Sequence, residues 1–169
     1  MSAFATDSFH NPVGTSNSSA MKTETTPTPA SVFVSESDED ILRCFPCMAE
    51  LRPHLVRESF VARVRAQQAE SGYRLAAIAV DGAVVCVAGY RCASYLAWGR
   101  ILYVDDLSTC ASARRAGHGG RMLEWLFVEA KRQGCDAVHL DSGVHRHDAH
   151  RLYLAKRFDI SSHHFSRVL

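Results

Sequence analysis

The sequence predicts an α/β fold in which a mixed, mostly antiparallel central sheet is flanked by helices on both faces. Two apolar strand patterns, "YRLAAIAV" and "AVVCVAGYRC", meet at Asp81 and Gly82, a dipeptide that favours tight hairpin turns. Further along, a third strand pattern runs through a Gly-rich loop into a helix pattern. The patterns follow the order β-α-α-β-β-β-α-β-α-β without an internal repeat. The 169 residues, of which 47% are hydrophobic, suffice for one core.

The first 31 residues are predicted to be a disordered tail, and residues 32–169 are predicted to be the folded domain. Ser, Thr, Pro, Ala and Asn dominate the tail, which has no hydrophobic periodicity to offset the entropy of ordering it. The tail lacks the basic start and the apolar centre of a secretion signal, so we expect a cytoplasmic protein. Whether translation starts at Met1 or Met21 stays open.

The domain begins with a short strand pattern, "SVFV". The acidic run "SESDED" then predicts a helix start, because carboxylates stabilise a helix N-terminus. This helix carries apolar residues at helical spacing, namely Ile41, Leu42, Phe45 and Met48. A second helix is predicted from Val56 to about Glu70, closed by Gly72.

After the hairpin, strands and helices alternate. A strand is predicted from Ile101 to Thr109 and a helix from Gly117 to Gln133. A buried strand at "CDAVHLDS", a helix at "DAHRLYLAKR" and a terminal strand at "FDISSHHFSRVL" complete the domain.

Charge and hydropathy exclude two classes of partner. A net charge of +1 and a pI of about 7.7 leave no basic excess to neutralise a row of nucleic-acid phosphates. No apolar run approaches the roughly 18 residues that a membrane helix needs. The six cysteines are expected to be reduced and mostly buried. Cys44 and Cys47 are expected to be core residues, because no second CxxC pair accompanies them.

The stretch "YVDDLSTCASARRAGHGGRML" predicts an anion site at a helix start. Backbone N–H groups and the positive end of the helix dipole meet at residues 117–120, and Arg114 and Arg115 add charge-assisted hydrogen bonds. A diphosphate is the natural ligand of such a site. The loop lacks the GxxxxGK spacing of a Walker loop, and Met122 stands where a dinucleotide fingerprint needs its third Gly.

The remaining spacing, RxxGxG at Arg114, Gly117 and Gly119, resembles the acetyl-CoA pyrophosphate loop of the GNAT superfamily of N-acetyltransferases. The resemblance covers residues 32–169 and includes "VDDLST" upstream and "DAHRLYLAKRF" downstream. The stretch "HRHDAHRLYL" is similar to the same region of aminoalkylphosphonate and other small-amine acetyltransferases. The resemblance implies acetyl-CoA as co-substrate. The implied contacts are Leu107, Ser108, Thr109, Arg114, Arg115, Ala116, Gly117, His118, Gly119, Gly120 and His150.

Transfer of an acetyl group from a thioester to an amine needs a base for the amine and an acid for the departing thiolate. The resemblance implies Asp105 or Asp106 as the base. Adjacent strand residues point to opposite faces, which favours Asp105 because it shares a face with Leu107, whose backbone N–H binds the acetyl oxygen in the family. A β-bulge would reverse this parity, and a structural role for both acids stays open.

Tyr153 corresponds to the family's tyrosine that precedes a Gly-aromatic pair, and it is the expected acid. The alternative is an aromatic core residue. The chain departs from the family at Arg157, where Gly is common. A left-handed helix end at this position would cost about 1 kcal/mol.

The sequence therefore predicts an enzyme that acetylates the primary amine of a small-molecule acceptor. Two alternatives stay open, acetylation of a protein amine and a catalytically silent acyl-CoA-binding module, and a homodimer is also left open. No metal is expected, because the C-terminal histidines lack the HExxH spacing and have no cysteine pair beside them. These histidines are His145, His147, His150, His163 and His164.

Overall fold

The computed structural model describes residues 31–169. The predicted tail, apart from Ser31, lies outside the described residues, and so do both candidate start positions. The elements are, in chain order, β1 (Val32–Val34), α1 (Asp38–Arg43), α2 (Phe45–Leu51), α3 (Arg57–Ser71), β2 (Arg74–Val80), β3 (Ala83–Tyr95), β4 (Gly99–Thr109), a 3₁₀ helix (Ala111–Ala113), α4 (His118–Arg132), β5 (Ala137–Leu140) and α5 (His147–Ala155).

The five strands form one sheet in the order β1-β2-β3-β4-β5. The first four strands pair antiparallel, whereas β5 pairs parallel with β4. This arrangement confirms the predicted fold class. The predicted hairpin is also confirmed, because β2 and β3 are joined at Asp81 and Gly82. Their φ angles of 49° and 80° are those of a tight turn with two left-handed residues.

Each face of the sheet carries its own core. Met122 and Leu126 of α4 pack against Tyr90 on one face. On the other face, Phe60 of α3 packs with Val87 and with α1 and α2. Burying a large apolar side chain contributes about 1.5–3 kcal/mol, so each helical layer is held mainly by its apolar stripe. Among the helices of residues 31–169, none combines the length and apolarity that crossing a bilayer requires.

The first predicted helix is two helices in the structure. α1 ends at Arg43, and α2 starts at Phe45. The break follows from Pro46, which has no N–H to continue the hydrogen-bond ladder and is tolerated only in the first turn of a helix. Cys44 and Cys47 are fully buried in the core on this face, as expected.

The predicted terminal strand is wrong. Residues 156–169 contain neither helix nor strand. Ile160, Phe165 and Val168 are 78%, 90% and 96% exposed. These three residues therefore pack against no surface of the described residues that would stabilise a strand, whereas Phe158, the first residue of the predicted strand, packs against Phe127 and Tyr153.

β4 and β5 separate partway along β4. Their pairing starts at Ile101 and Ala137 and ends at Val104 and Leu140. β4 continues to Thr109, but among the described residues it pairs there with β3 alone. The last part of β4 thus has an open edge, and the gap between the two strands lies next to the start of α4.

Candidate active site

A cleft of about 1050 Å³ opens where β4 and β5 separate. The end of β4, the loop before α4, the start of α4, and α5 form its walls. The predicted residues that line it are Leu107, Ser108, Thr109, Arg114, Arg115, Gly117, His118, Gly119, Gly120 and Tyr153. The lining also includes Glu50, Leu51, His145, Arg146, His147, Asp148, Ala149, Arg151 and Leu152.

Four predicted site residues do not line this cleft. Ala116 and His150 were expected to contact the donor, but neither belongs to its walls. His150 instead lies edge to face against His147, with the two rings 6.4 Å apart. Asp105 and Asp106 also lie outside the lining, two residues and one residue before Leu107 on β4.

The backbone at the end of β4 offers hydrogen-bonding groups to the cleft. The Cys110 N–H donates to the Val85 carbonyl at 2.9 Å, and from this point hydrogen-bonded and non-hydrogen-bonded pairs alternate back along β4. The pairs containing Thr109 and Leu107 are then non-hydrogen-bonded. Their N–H and C=O groups therefore point away from β3, toward the open edge.

The start of α4 forms the opposite end of the cleft. Gly117 is the N-cap, with a φ of 82°, and the N–H groups of the first turn have no partner within the helix. The helix dipole adds positive potential at this end. A Cβ at Gly119 would lie 3.3 Å from Leu152 Cδ2, so glycine allows α5 to approach closely. His118 Nδ1 is buried without a hydrogen-bond partner among the described residues.

The two arginines of the loop have different environments. Arg114 donates from Nε to the Thr109 carbonyl at 3.3 Å and from Nη2 to Glu50 Oε2 at 3.1 Å. Arg115 has a φ of 65°, and its exposed side chain lines the cleft. The first-turn amides of α4 together with the Arg115 guanidinium fit the diphosphate of acetyl-CoA.

Asp105 and Asp106 lie on the same face of the sheet, so the expectation of opposite faces is wrong. The register between β3 and β4 shifts at Gly89 and Tyr90. Gly89 pairs with Asp106, Tyr90 pairs with Val104, and Asp105 is the extra residue of a β-bulge. The bulge directs both carboxylates to the face of the sheet that α2 and α3 cover.

The two carboxylates differ in their partners. Asp106 Oδ1 accepts from Arg52 Nε at 2.9 Å, and Oδ2 accepts from the Tyr73 hydroxyl at 3.0 Å. Asp105 Oδ2 accepts from Arg91 Nε at 2.9 Å, and its Oδ1 accepts no hydrogen bond from another described residue. Burial raises the pKa of Asp105 above its usual value, although Arg91 acts in the opposite direction. Asp105 thus keeps one carboxylate oxygen available.

Tyr73 holds Asp106 from the buried side. Its side chain is only 4% exposed, and a Cβ at Gly89 would overlap its hydroxyl. Burial and the neighbouring Asp106 both raise the pKa of Tyr73 well above the usual value. The phenol therefore stays protonated and donates to Asp106.

Tyr153 lies on α5 in the wall of the cleft and is half-buried. Its ring packs edge to face against Phe158, with centroids 5.8 Å apart, and its hydroxyl makes no hydrogen bond with another described residue. Burial raises the pKa of Tyr153, so the hydroxyl carries its proton at neutral pH.

The end of α5 fixes the position of Tyr153. Arg157 has a φ of 64°, and its N–H donates to the Leu154 carbonyl while the Phe158 N–H donates to the Tyr153 carbonyl. These two bonds form a Schellman motif. The left-handed helix end considered at Arg157 is therefore present.

Of the C-terminal histidines, His147 and His150 contact each other, whereas His164 contacts Asp141. His164 Nδ1 lies 3.1 Å from Asp141 Oδ2, and Asp141 also accepts from the Tyr103 hydroxyl. Within residues 31–169, no three His, Cys, Asp or Glu side chains are arranged to hold a metal ion.

Four further residues, which no sequence motif indicates, complete the surroundings of the cleft and the two acids. They are Glu50, Arg52, Tyr73 and Arg91. The packing of α2 and α3 on the sheet brings Glu50, Arg52 and Tyr73 to β4 and the loop. Arg91 lies on β3 and reaches Asp105 across the β3–β4 pairing. Of these residues, only Glu50 has a local sequence feature that indicates a role. It lies in the last turn of α2, where the helix dipole disfavours a carboxylate, so a positively polarised partner elsewhere is expected.

Comparisons with known proteins agree on one family. The chain matches the model of the acetyltransferase (GNAT) family over residues 36–158. It is 33% identical over 132 residues to the uncharacterized N-acetyltransferase YhdJ of Bacillus subtilis (strain 168), which covers 78% of this chain and 93% of that protein. It is 29% identical over 66 residues to the aminoalkylphosphonate N-acetyltransferase of Salmonella typhimurium, covering 39% of this chain and 43% of that protein.

The fold is similar to that of the aminoglycoside N-acetyltransferase AAC(6′)-Iy solved in complex with CoA. The TM-score is 0.70 and the identity is 13%, over 85% of this chain and 98% of that chain.

Proposed function

The chain belongs to the acetyltransferase (GNAT) family, and from this premise we propose that it transfers an acetyl group from acetyl-CoA to the primary amine of a small molecule by direct attack. Asp105 is the base and Tyr153 is the acid. The observation that carries the proposal is the cleft between β4 and β5. It is lined by Leu107 of β4, by the start of α4 and by Tyr153.

Acetyl-CoA supplies the activated acyl group, and the chain orients it. The first-turn amides of α4 and Arg115 bind the diphosphate, because both present N–H donors with positive potential. The backbone groups of Leu107 and Thr109 bind the acyl end and the pantetheine arm. The Leu107 N–H stabilises negative charge on the acyl oxygen as the amine attacks.

Asp105 takes the proton from the acceptor amine, directly or through water. An amine with a pKa near 10.4 is protonated at neutral pH, and removing its proton costs about 4–5 kcal/mol. Asp105 has an available oxygen and a raised pKa, whereas both oxygens of Asp106 are occupied by Arg52 and Tyr73. These contacts favour Asp105 as the base and Asp106 as a positioning residue.

Tyr153 gives its proton to the departing thiolate. Tyr153 lines the cleft. Its hydroxyl is protonated at neutral pH and has no hydrogen-bond partner among the described residues. A phenol that is protonated at neutral pH can donate to the sulfur as negative charge develops on it while the carbon–sulfur bond breaks.

A small amine is the favoured acceptor class. The similarity to an aminoalkylphosphonate N-acetyltransferase supports it. The net charge of +1 gives the chain no overall charge that would attract strongly acidic or basic proteins. The alternative is acetylation of a protein amine, which the assay below distinguishes from acetylation of a small amine.

Thiol release from acetyl-CoA measures the proposed activity directly. The assay uses aminoalkylphosphonates, polyamines, amino acids and aminoglycosides in one arm, and peptides with a free N-terminus or a lysine in the other. We expect release with at least one small amine and none with peptides. Tyr153→Phe should lower kcat by about 10²-fold because the acid is lost, while the Kd for CoA stays within twofold.

Tyr95→Phe is the matched control, because Tyr95 is a partly exposed tyrosine at the β3–β4 hairpin and does not line the cleft. It should leave kcat unchanged. Release with peptides alone would contradict the small-molecule acceptor, and an unchanged kcat in Tyr153→Phe would remove Tyr153 from the role of acid.

A further inference from the structure

We propose that Glu50 is a positioning residue of the donor site, which holds the turn at residues 110–114 against α2 so that Arg115 and the start of α4 face the diphosphate. This inference rests on the proposed function, because it assumes that the diphosphate binds at the start of α4. It assigns a role to a residue that belongs to no motif and touches the loop from another helix.

The contacts of Glu50 join three parts of the chain. Its Oε1 and Oε2 lie 3.0 and 2.9 Å from the Ala111 backbone N, at the start of the 3₁₀ helix. Its Oε2 also accepts from Arg114 Nη2 at 3.1 Å. Arg114 in turn donates from Nε to the carbonyl of Thr109, the last residue of β4. The carboxylate thus links α2, the end of β4 and the loop through charge-assisted hydrogen bonds.

The position of Glu50 on its helix favours this role over a purely local one. Glu50 lies in the last turn of α2, where the helix dipole disfavours a negative charge. The Ala111 N–H begins a 3₁₀ helix and has no partner within it, and Arg114 brings a full positive charge. Both offset the unfavourable placement, so the carboxylate is stabilised only when the loop packs on α2.

The same contacts give Arg114 and Arg115 different roles, Arg114 within the loop and Arg115 toward the diphosphate. The Arg114 guanidinium is held by Glu50 and the Thr109 carbonyl, so its hydrogen bonds are directed within the chain. Arg115 follows with a φ of 65° and Gly117 with a φ of 82°, and this backbone turn leads into α4. A left-handed arginine costs about 1 kcal/mol or more. The turn before it therefore has to be held in place, and Glu50 supplies that restraint.

The test separates binding of the nucleotide part of the donor from acyl transfer. Calorimetric titration gives the Kd for CoA, and turnover with S-acetyl-pantetheine gives the activity with a donor that lacks the diphosphate. Glu50→Ala should weaken CoA binding about tenfold, the factor expected when a hydrogen bond to a charged group is lost. kcat/KM for S-acetyl-pantetheine and kcat at saturating acetyl-CoA should stay within twofold.

A double-mutant cycle tests the link through Arg114. The double variant E50A/R114A should lose less CoA affinity than the sum of the two single losses, because the Glu50–Arg114 contact is removed in both single variants. Glu50→Gln should fall between wild type and Glu50→Ala, since its amide oxygen still accepts from Ala111 but no longer pairs with Arg114. Asp38→Ala is the control, because Asp38 also pairs with an arginine on another helix, Arg65, and does not line the cleft.

Two results would overturn the role of Glu50 while leaving the proposed function intact. One is an unchanged Kd for CoA in Glu50→Ala. The other is an equal loss of activity with acetyl-CoA and S-acetyl-pantetheine, which would indicate general damage to the fold. A wild-type chain that binds no CoA would overturn both the donor site and the role of Glu50.

Discussion

Asp105 is surrounded by charges of both signs, and this environment shifts its pKa. Arg91 donates to its carboxylate, Arg52 donates to its backbone carbonyl at 3.1 Å, and Asp106 follows it in the chain. Burial has the largest effect and raises the pKa of Asp105. Arg91 and Arg52 lower it, whereas Asp106 raises it. A base that accepts a proton from an amine works better with a raised pKa, provided that it remains ionised at neutral pH.

The neighbours of Asp105 should move its pKa in opposite directions. Asp106→Asn removes a negative charge and should lower the pKa of Asp105. Arg91→Gln removes the positive charge and should raise the pKa. Carbon-13 NMR titration of the Asp105 carboxyl measures both shifts.

Arg65→Gln is the control for this titration, because Arg65 pairs with Asp38 on the helical layer and does not contact Asp105. It should leave the titration unchanged. Shifts of the same sign in Asp106→Asn and Arg91→Gln would contradict the electrostatic description of Asp105.

At the scale of single elements, β4 and α5 each contain one irregularity that positions a proposed catalytic residue. The bulge in β4 turns Asp105 and Asp106 to one face. The left-handed Arg157 ends α5 and lets Phe158 fold back against Tyr153. A regular strand and a helix that continued past Arg157 would place these side chains differently.

The helix end at Arg157 carries a cost that glycine would remove. A φ of 64° is strained for a residue with a Cβ. Arg157→Gly should therefore raise the free energy of unfolding by about 0.5–1 kcal/mol, after allowance for the greater chain entropy of glycine in the unfolded state. Urea denaturation measures the change.

Arg157→Ala serves as the comparison, since alanine keeps the Cβ and the strain while the guanidinium is lost. It should bring no gain in stability. Equal stabilisation by alanine and glycine would show that the arginine side chain, and not the backbone angle, carries the cost.

At the scale of the whole molecule, local sequence signals and long-range packing account for different parts of the structure. The hairpin at Asp81 and Gly82 and the glycine-rich start of α4 were predictable, because a turn dipeptide and a helix start act on neighbouring residues. The β-bulge at Asp105 was not, since it depends on the pairing of β4 with Gly89 and the room that Tyr73 requires there.

The same distinction explains the other differences. Glu50 and Arg52 reach the loop and the acids only because α2 packs on the sheet, which no local pattern encodes. The terminal segment has strand-like composition, but a strand also needs a pairing partner and a surface to pack on. Phe165 and Val168 find neither among residues 31–169.

Acetyl-CoA is proposed to bind in the gap between β4 and β5, and amide hydrogen exchange with and without CoA locates the bound nucleotide. CoA should slow exchange at the Leu107 and Thr109 amides and in the first turn of α4. The Cys110 amide, already bonded to Val85, should change little, and the amides of α3 should not change. Unaltered exchange at β4 and α4, with protection appearing elsewhere when CoA binds, would contradict the account.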